Sequence, residues 1–394
     1  MKFAWPPDHL CDNPTPSRTI IPRFQRLYVC FSGCRDSFKL CRPFVGLDGC
    51  FLKGPYGGQL LTAIGRDPNE QMLPIAYAVV EAENKESWTW FLSLLQTFKE
   101  LLPGVDHRFC VRHLYNNFRK KYPSKNLKLL LWKAANATYE VEWVRVMQEI
   151  HSISNSAYDH LINIDKKLWS KHAFSGFSRC DVVVNNMSEA FNRVILDMRD
   201  KPIITMCEDI RIYLMHRWAI IREKVENQST DVNPKITKKI EEEAKNSGMW
   251  MPLWSVNKVF EVVHLPEKFV VDLDKWYCSC GKWRVSGLPC RHSISCMHYL
   301  NLEVHLYVPD CFKKTVYGEC YQHSIMPANG PNFWPKLKKI EILPPIRRRA
   351  PGRPKKKRNM DANEEKSQSK MSRKYGTVRC TRCGVAGHNK RSCQ

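Results

Sequence analysis

The segment from Phe44 to Leu92 constrains the fold more than any other part of the chain. FVGLDGC (44–50), QLLTAIG (59–65) and MLPIAYAVVE (72–81) are three apolar runs of strand length. They are bounded by turn-forming residues, and RDPN at 66–69 is turn chemistry between the second and third. Ser87 is placed to cap a helix running to about Leu102, with Trp88, Phe91, Leu92, Leu95 and Phe98 on one face. Three consecutive strands followed by a helix predict an α/β (α+β) domain. The first strand carries one acid, Asp48. A carboxylate on a central apolar strand must be paired, hydrogen-bonded or metal-bound, because burying it bare is costly. Taken alone, such an aspartate is more often structural than catalytic.

A chain of 394 residues, 43% hydrophobic and 11% aromatic, can hold two or three cored domains. The formal charge is +23 and it is unevenly spread. From Lys336 onward nineteen Lys/Arg face four Asp/Glu, so +15 of the total lies in the last 59 residues. A tail that basic implies a polyanionic partner, above all nucleic acid; the plain reading is a solvated, disordered tail. No run of 18 apolar residues is long enough for a membrane span. The N-terminal MKFAWPPDHLCDNP has no apolar signal core, which argues against secretion. Seventeen cysteines in a non-secreted chain point to zinc and reduced thiols.

Two cysteine–histidine sets have ligand spacing. In CSCGKWRVSGLPCRH (278–292), Cys278 and Cys280 are followed by Cys290 and His292, a Cys3His set for tetrahedral zinc. The Gly287-Leu288-Pro289 turn brings the second pair back. Alternating patterns at Lys258–Leu265 and Lys268–Asp274 predict a hairpin leading into it. His292–Asn301 reads as a helix behind the site, with Cys296 and His298 as core residues rather than ligands. Near the C-terminus, Cys380, Cys383, His388 and Cys393 have zinc-knuckle spacing, with Gly384 and Gly387 at turn positions. Such knuckles bind single-stranded nucleic acid, and Arg379, Arg382, Lys390 and Arg391 suit phosphate contacts. A unit this short buries no core, so zinc would supply its folding free energy.

Between these sets lies the basic run RRRAPGRPKKKR (347–358). An extended Gly-Arg-Pro core can lay Arg353 into a narrow A·T-rich minor groove, flanked by Lys355, Lys356, Lys357 and Arg358. The same run reads as a nuclear-import signal. Upstream, RFCV (108–111) is a predicted short strand, and Asn126 to about Asn227 is predicted helical, with helices at Leu127–Ile150 and Tyr158–Trp169 and a long one after Pro202. Lys235–Lys245 reads as a charged surface helix, and 302–335 carries few regular signals. Cys110 and His113 form one pair, too few for a closed zinc site.

LDGCFLK, GGQLL, PIAYAVVE and SWTWFL together resemble the core of plant Mutator-like element (MULE) transposases, over roughly residues 24–394. The resemblance implies an RNase H-like fold with a metal-dependent Asp-Asp-Glu site. Asp48 matches its first acid, and Glu189 in NNMSEAFNRVI (185–195) its third. The strand that bears the second aspartate has no counterpart: Lys99-Glu100 runs almost directly into PGVDHRFC. The core is therefore expected to lack one strand–helix unit near Lys99, leaving the edge of the Asp48 strand exposed. Asp67, in a hairpin turn, and Asp106 are poor replacements. The Cys-x-Cys…Cys-x-His stretch resembles a SWIM zinc finger.

The expected organisation is an N-terminal remnant (1–40), an RNase H-like domain with a helical insertion (41–228), a SWIM finger (255–302), a basic linker (336–375) and the knuckle (376–394). The expected function is a transposase-derived, zinc-binding, nucleic-acid-binding nuclear protein with a degenerate catalytic site. Its partners are DNA, with A/T-rich duplex as the favoured form, and single strands through the knuckle. Two Zn²⁺ ions are expected, with Mg²⁺ or Mn²⁺ only if the site is active. The alternatives are an active Asp-Asp-Glu transposase and an RNA-binding protein acting through the knuckle.

Overall fold

A computed structural model describes residues 21–95, 106–335, 342–345, 380–385 and 393. The basic run at 347–358, His388 and the expected extension of the first predicted helix beyond Leu95 lie outside those residues. The described chain is a mixed α/β structure with two four-stranded antiparallel sheets.

The first sheet contains β1 (Leu27–Val29), β2 (Val45–Phe51), β3 (Gln59–Arg66) and β4 (Met72–Val80), in the order β1-β4-β3-β2. The three predicted strands β2, β3 and β4 form an antiparallel meander, with Asp48 opposite Thr62 and Leu61 opposite Ala78. In β4 eight of nine residues are buried, including neighbours that point to opposite faces. Both faces of the central strands are therefore covered, which is why their sequences read as continuous apolar runs. The cover comes from helices far apart in the chain. They are α1 (Ser32–Lys39), α2 (Lys85–Leu94), α7 (Asn186–Val194), the 24-residue α8 (Ile203–Glu226) and α12 (Lys314–Gln322). Phe38, Phe91, Phe191, Trp218 and Tyr321 meet the sheet's Leu60, Ile64 and Ala78 in one core.

Several local expectations are corrected here. The cap of α2 is Asn84, not Ser87: the Asn84 side chain accepts from the Ser87 backbone N–H, so Ser87 is the capped residue. α1 and α12 were not anticipated. α12 carries Thr315, Val316 and Gly318, all weak helix formers, and is held instead by its packing. Its Tyr317, Cys320 and Tyr321 are buried in the first core, and Cys320 Sγ lies 3.6 Å from Cys41 Sγ.

The second layer is helical: α3 (Val111–Lys121), α4 (Lys125–Asn136), α5 (Glu140–Ile153) and α6 (Asn155–Ile162). Phe118, Leu131, Val146, Ile150 and Trp169 form its core. The strand expected at 108–111 does not form. Phe109 and Val111 donate single backbone bonds to Leu168 and Val183, and the helix starts at once. The expected helix at 127–150 is two helices, because the chain turns at Ala137–Tyr139 so that α4 and α5 can pack on each other. The one expected at 158–169 runs from Asn155 to Ile162, with Ser154 as its cap.

α9 (Pro234–Lys245) leads into the second sheet. This sheet comprises β5 (Met251–Val256), β6 (Val259–His264), β7 (Glu267–Asp272) and β8 (Tyr277–Cys278), followed by α10 (Lys282–Ser286) and α11 (Arg291–Tyr299). β6 and β7 are the predicted hairpin; β5 adds an edge strand the sequence pattern did not reveal. Among the described residues no helix is long and apolar enough to cross a membrane.

Candidate metal centre and acidic edge

Cys278 ends β8 and Cys280 follows in the next turn. Cys290 sits at the N-cap of α11 and His292 in its first turn. All four side chains are buried, and their donor atoms lie within 4.8 Å of one another. His292 Nδ1 is 3.5 Å from Cys278 Sγ and 3.7 Å from Cys290 Sγ. A tetrahedron with metal–sulfur bonds of about 2.3 Å and a metal–nitrogen bond of about 2.05 Å has sulfur–nitrogen edges of about 3.6 Å. The set therefore fits zinc, with Nδ1 facing the ion. Burial pushes the Cys290 thiol up, yet hydrogen bonds from Cys278, Cys280 and His292 overcome it and hold the thiol well below its ordinary value. Its hydrogen-bonded neighbours Cys280 and Cys290, with burial, drive Cys278 the other way. Three thiols this close can all ionise only around a cation.

The surroundings fix this geometry. Gly281 has φ +73°, and a Cβ there would meet Thr138 O at 2.1 Å, so the turn after Cys280 accepts only glycine. Phe269 stacks on the His292 ring at 4.5 Å and Trp250 meets it edge-on at 4.1 Å. His292 Nε2 is buried without a hydrogen-bond partner, so aromatic packing, not an acceptor behind the ring, sets the orientation. Glu243 of α9 accepts from Lys282 Nζ at 2.5 Å, from Arg291 N at 3.1 Å and from Arg291 Nε at 3.4 Å. It clamps α10 to the start of α11, where a carboxylate complements the helix dipole. Burial pushes the Glu243 carboxyl up, but Lys282 and Arg291 bring it below its ordinary value. Cys296 is buried as expected; His298 is exposed, a correction, because it lies on the outer face of α11.

In the second set, Cys380, Cys383 and Cys393 also converge within 4.8 Å. Arg382 N–H donates to Cys380 Sγ at 3.4 Å, and Gly384 has φ +74° in the turn. The backbone N–H groups of Arg382 and Cys383 hold the Cys380 thiol below its ordinary value. His388, the fourth expected member, and Arg353, Lys355, Lys356, Lys357 and Arg358 lie outside the described residues.

The acids are arranged differently. α7 packs along β2, which brings Glu189 into the electrostatic neighbourhood of Asp48. Asp48 Oδ2 accepts from Asn192 Nδ2 at 2.9 Å. Burial raises its carboxyl above the ordinary value; His113 and the Gly49 N–H oppose this, while Glu83 and Glu189 add to it. Glu189 is paired with Arg112, whose other nitrogen donates to Asn186 Oδ1 at 3.1 Å. Among the described residues the two cysteine sets are the only groups of three or more potential ligands that converge, so Asp48 and Glu189 belong to none.

Asp67 is fully buried and structural, accepting from Tyr321 Oη at 2.9 Å and Gln71 N at 2.7 Å. Asp106 accepts from Ser175 Oγ. Cys110 Sγ accepts from Asn185 N at 3.4 Å, and His113 faces the Asp48 side. Sequence reasoning missed Glu83. Its carboxylate stands 2.6 Å from where a Gly49 Cβ would be, beside Asp48. Its only signal was a place just beyond the end of β4.

Among the described residues β2 pairs only with β3 and forms an edge of the sheet. Its edge is not bare, however. Asn185 Nδ2 donates to Leu47 O at 2.8 Å and Arg199 to Phe51 O at 3.3 Å, so side chains satisfy carbonyls that a neighbouring strand would otherwise bond. A cavity of about 1020 Å³ opens between Pro43–Leu47, α2, α3 and the 177–185 segment.

Comparison with known proteins agrees with this division. Residues 44–102 match the family model of the MULE transposase domain, and residues 269–301 that of the SWIM zinc finger. No curated protein and no solved structure matches the chain. The two family matches support a MULE-type, transposase-derived protein with a SWIM zinc finger.

Proposed function

We propose that this MULE-type, transposase-derived protein is a nuclear DNA-binding protein with two zinc sites on an RNase H-like core that has lost its catalytic competence. In this reading Cys278, Cys280, Cys290 and His292 hold one structural zinc, and Cys380, Cys383, His388 and Cys393 a second. The zinc supplies folding free energy and no chemistry. The basic linker, with Arg353 at its centre, carries the contact with A·T-rich duplex and the nuclear address, and the knuckle adds single-strand contacts.

One observation carries the non-catalytic reading. Two-metal phosphoryl transfer needs carboxylates bridging ions about 4 Å apart. Here Asp48, Glu83 and Glu189 form no converging ligand group among the described residues, Asp48 is bonded to an asparagine, and Glu189 is paired with Arg112. The test is Mg²⁺- or Mn²⁺-dependent nicking of duplex DNA by zinc-loaded protein, with Asp48→Ala as control. Binding without nicking is expected. Nicking that the control abolishes would overturn the reading in favour of an active transposase. One feature favours that second reading: the carboxylate of Glu83 beside Asp48. Glu83→Gln is therefore the variant to add if nicking is seen.

A further inference from the structure

We infer that Cys41 and Cys320 are a modification site, at which a hydroperoxide forms a reversible disulfide that locks α12 onto the connection between α1 and β2. The inference is independent of the DNA-binding reading above.

The two cysteines are 279 positions apart in sequence, and the fold brings their sulfurs to 3.6 Å. Among the described residues outside the two ligand sets, no other pair of thiols is in contact. A disulfide needs about 2.05 Å between sulfurs, so the pair must close by roughly 1.5 Å. Cys41 lies just past the end of α1, in an irregular connection, whereas Cys320 is fixed within α12. Side-chain rotation at Cys41 therefore supplies the approach. Both thiols reach one acceptor, Ser37 O, at 3.4 Å. Ser37 O also accepts from the Leu40 N–H at 3.3 Å. Loss of both thiol protons thus leaves no buried acceptor without a donor, and the oxidised core carries no polar penalty.

Packing alone accounts for two buried thiols, since a free cysteine behaves as a small apolar side chain. This pair has in addition the asymmetry that oxidation uses. Cys41 is partly exposed, while Cys320 is fully buried. The bond with Cys41, together with burial, pushes the Cys320 thiol well up, so it stays protonated. Cys41 is then the sulfur that meets the oxidant. With hydrogen peroxide, the Cys41 thiolate attacks one oxygen and the O–O bond breaks. Cys41 becomes a sulfenic acid and one water leaves. The Cys320 sulfur attacks the Cys41 sulfur, the S–O bond breaks, and a second water leaves with the Cys320 proton. The two thiols supply two electrons and the peroxide takes them; a dithiol returns them and restores the reduced pair.

The bond joins segments on either side of the finger, because Cys41 precedes β2 and Cys320 follows α11. Arg42, next to Cys41, donates to Arg179 O at 2.8 Å and pairs with Glu70 at 3.4 Å. The disulfide therefore fastens α12 to the junction where the lead into β2 meets the segment before α7.

The test is titration of zinc-loaded, full-length protein with hydrogen peroxide, followed by acid quenching, alkylation and unreduced peptide mapping by mass spectrometry. Zinc content is followed at each point. Before zinc is released, each chain should lose two alkylatable thiols and yield a linked peptide pair joining Cys41 and Cys320. Dithiothreitol should restore both thiols, and the oxidised protein should melt at a higher temperature than the reduced one. Cys320→Ala should abolish the linked pair and leave Cys41 to be trapped by dimedone as the sulfenic acid. Cys34→Ala removes the other thiol in the electrostatic surroundings of Cys320 and should leave the linked pair intact. A wild-type pair still reduced when zinc is released would overturn the inference. So would Cys41 oxidised with Cys320 free, or Cys41 joined to a different cysteine. These three outcomes are read on wild-type protein, so they decide the matter even if Cys320→Ala does not fold.

Discussion

The finger around His292 and the edge around Asp48 are both places where side chains gather as if for a metal, and they came out opposite. In the finger, four donors within one short stretch converge, buried, with the edge lengths of a tetrahedron. At the sheet edge, two acids separated by the whole helical layer approach each other, and each is engaged by another protein group. A local site survives as long as its own turn and hairpin survive. A site assembled from distant elements depends on every element that contributes to it. The sheet edge is itself stabilised by Asn185 and Arg199, which donate to its carbonyls.

The comparison can be broken most directly at Cys290. Cys290→Ser should remove about one equivalent of zinc and unfold the finger, a loss on the order of 10 kcal/mol of metal-coupled folding free energy. Zinc analysis and near-UV circular dichroism read it, and unchanged zinc content would mean that the convergence is not a metal site. Gly281→Ala should destabilise the same region by about 1–3 kcal/mol from backbone strain alone, with the clash on Thr138 O added. A thermal melt indistinguishable from wild type would show that the turn is looser than its dihedral implies.

Glu243→Gln should cost about 1–3 kcal/mol, since it weakens charge-assisted bonds to Lys282 and Arg291. The folded carboxyl titrates below the unfolded one. Its contribution is therefore complete above the unfolded value, about pH 4.3, and disappears as the pH falls through the folded value. Finger stability followed through that range should lose this component in wild type and not in the variant. The smallest effect is expected at the other region. Asp48 has a raised carboxyl, so its contribution is present below about pH 3.9 and is lost as the pH rises through the folded value. At neutral pH the charged form is a net burden. Asp48→Asn keeps an oxygen for Asn192 and should be neutral or stabilising by less than about 1 kcal/mol. A marked loss of stability would mean that the acid edge is a structural centre, and the contrast with the finger would narrow.

How much was legible follows from the range of each interaction. β2, β3 and β4, the finger hairpin and the Cys3His set were readable, because alternation, apolar runs and ligand spacing are local patterns. The cap at Asn84 was misplaced by one hydrogen bond, since Ser87 is an equally good capping residue. α12 was invisible, because its sequence has weak helical propensity and its place depends on Asp67, Trp218 and Cys41, all distant in the chain. Glu83 was missed because proximity to Asp48 across the strand end leaves no sequence period.

By itself, then, the sequence determined the elements and the ligand identities: strands from burial on both faces, helices from period, zinc chemistry from thiol and imidazole spacing. Only the tertiary structure decided the surroundings of the acids: among the described residues β2 is an edge strand, Glu189 pairs with Arg112, and Asn185 and Arg199 bond the β2 carbonyls. The physical reason is that hydrogen-bond satisfaction at an edge and the partner of a carboxylate are settled by whichever groups the packed helices bring within about 3 Å, and chain order does not encode that distance.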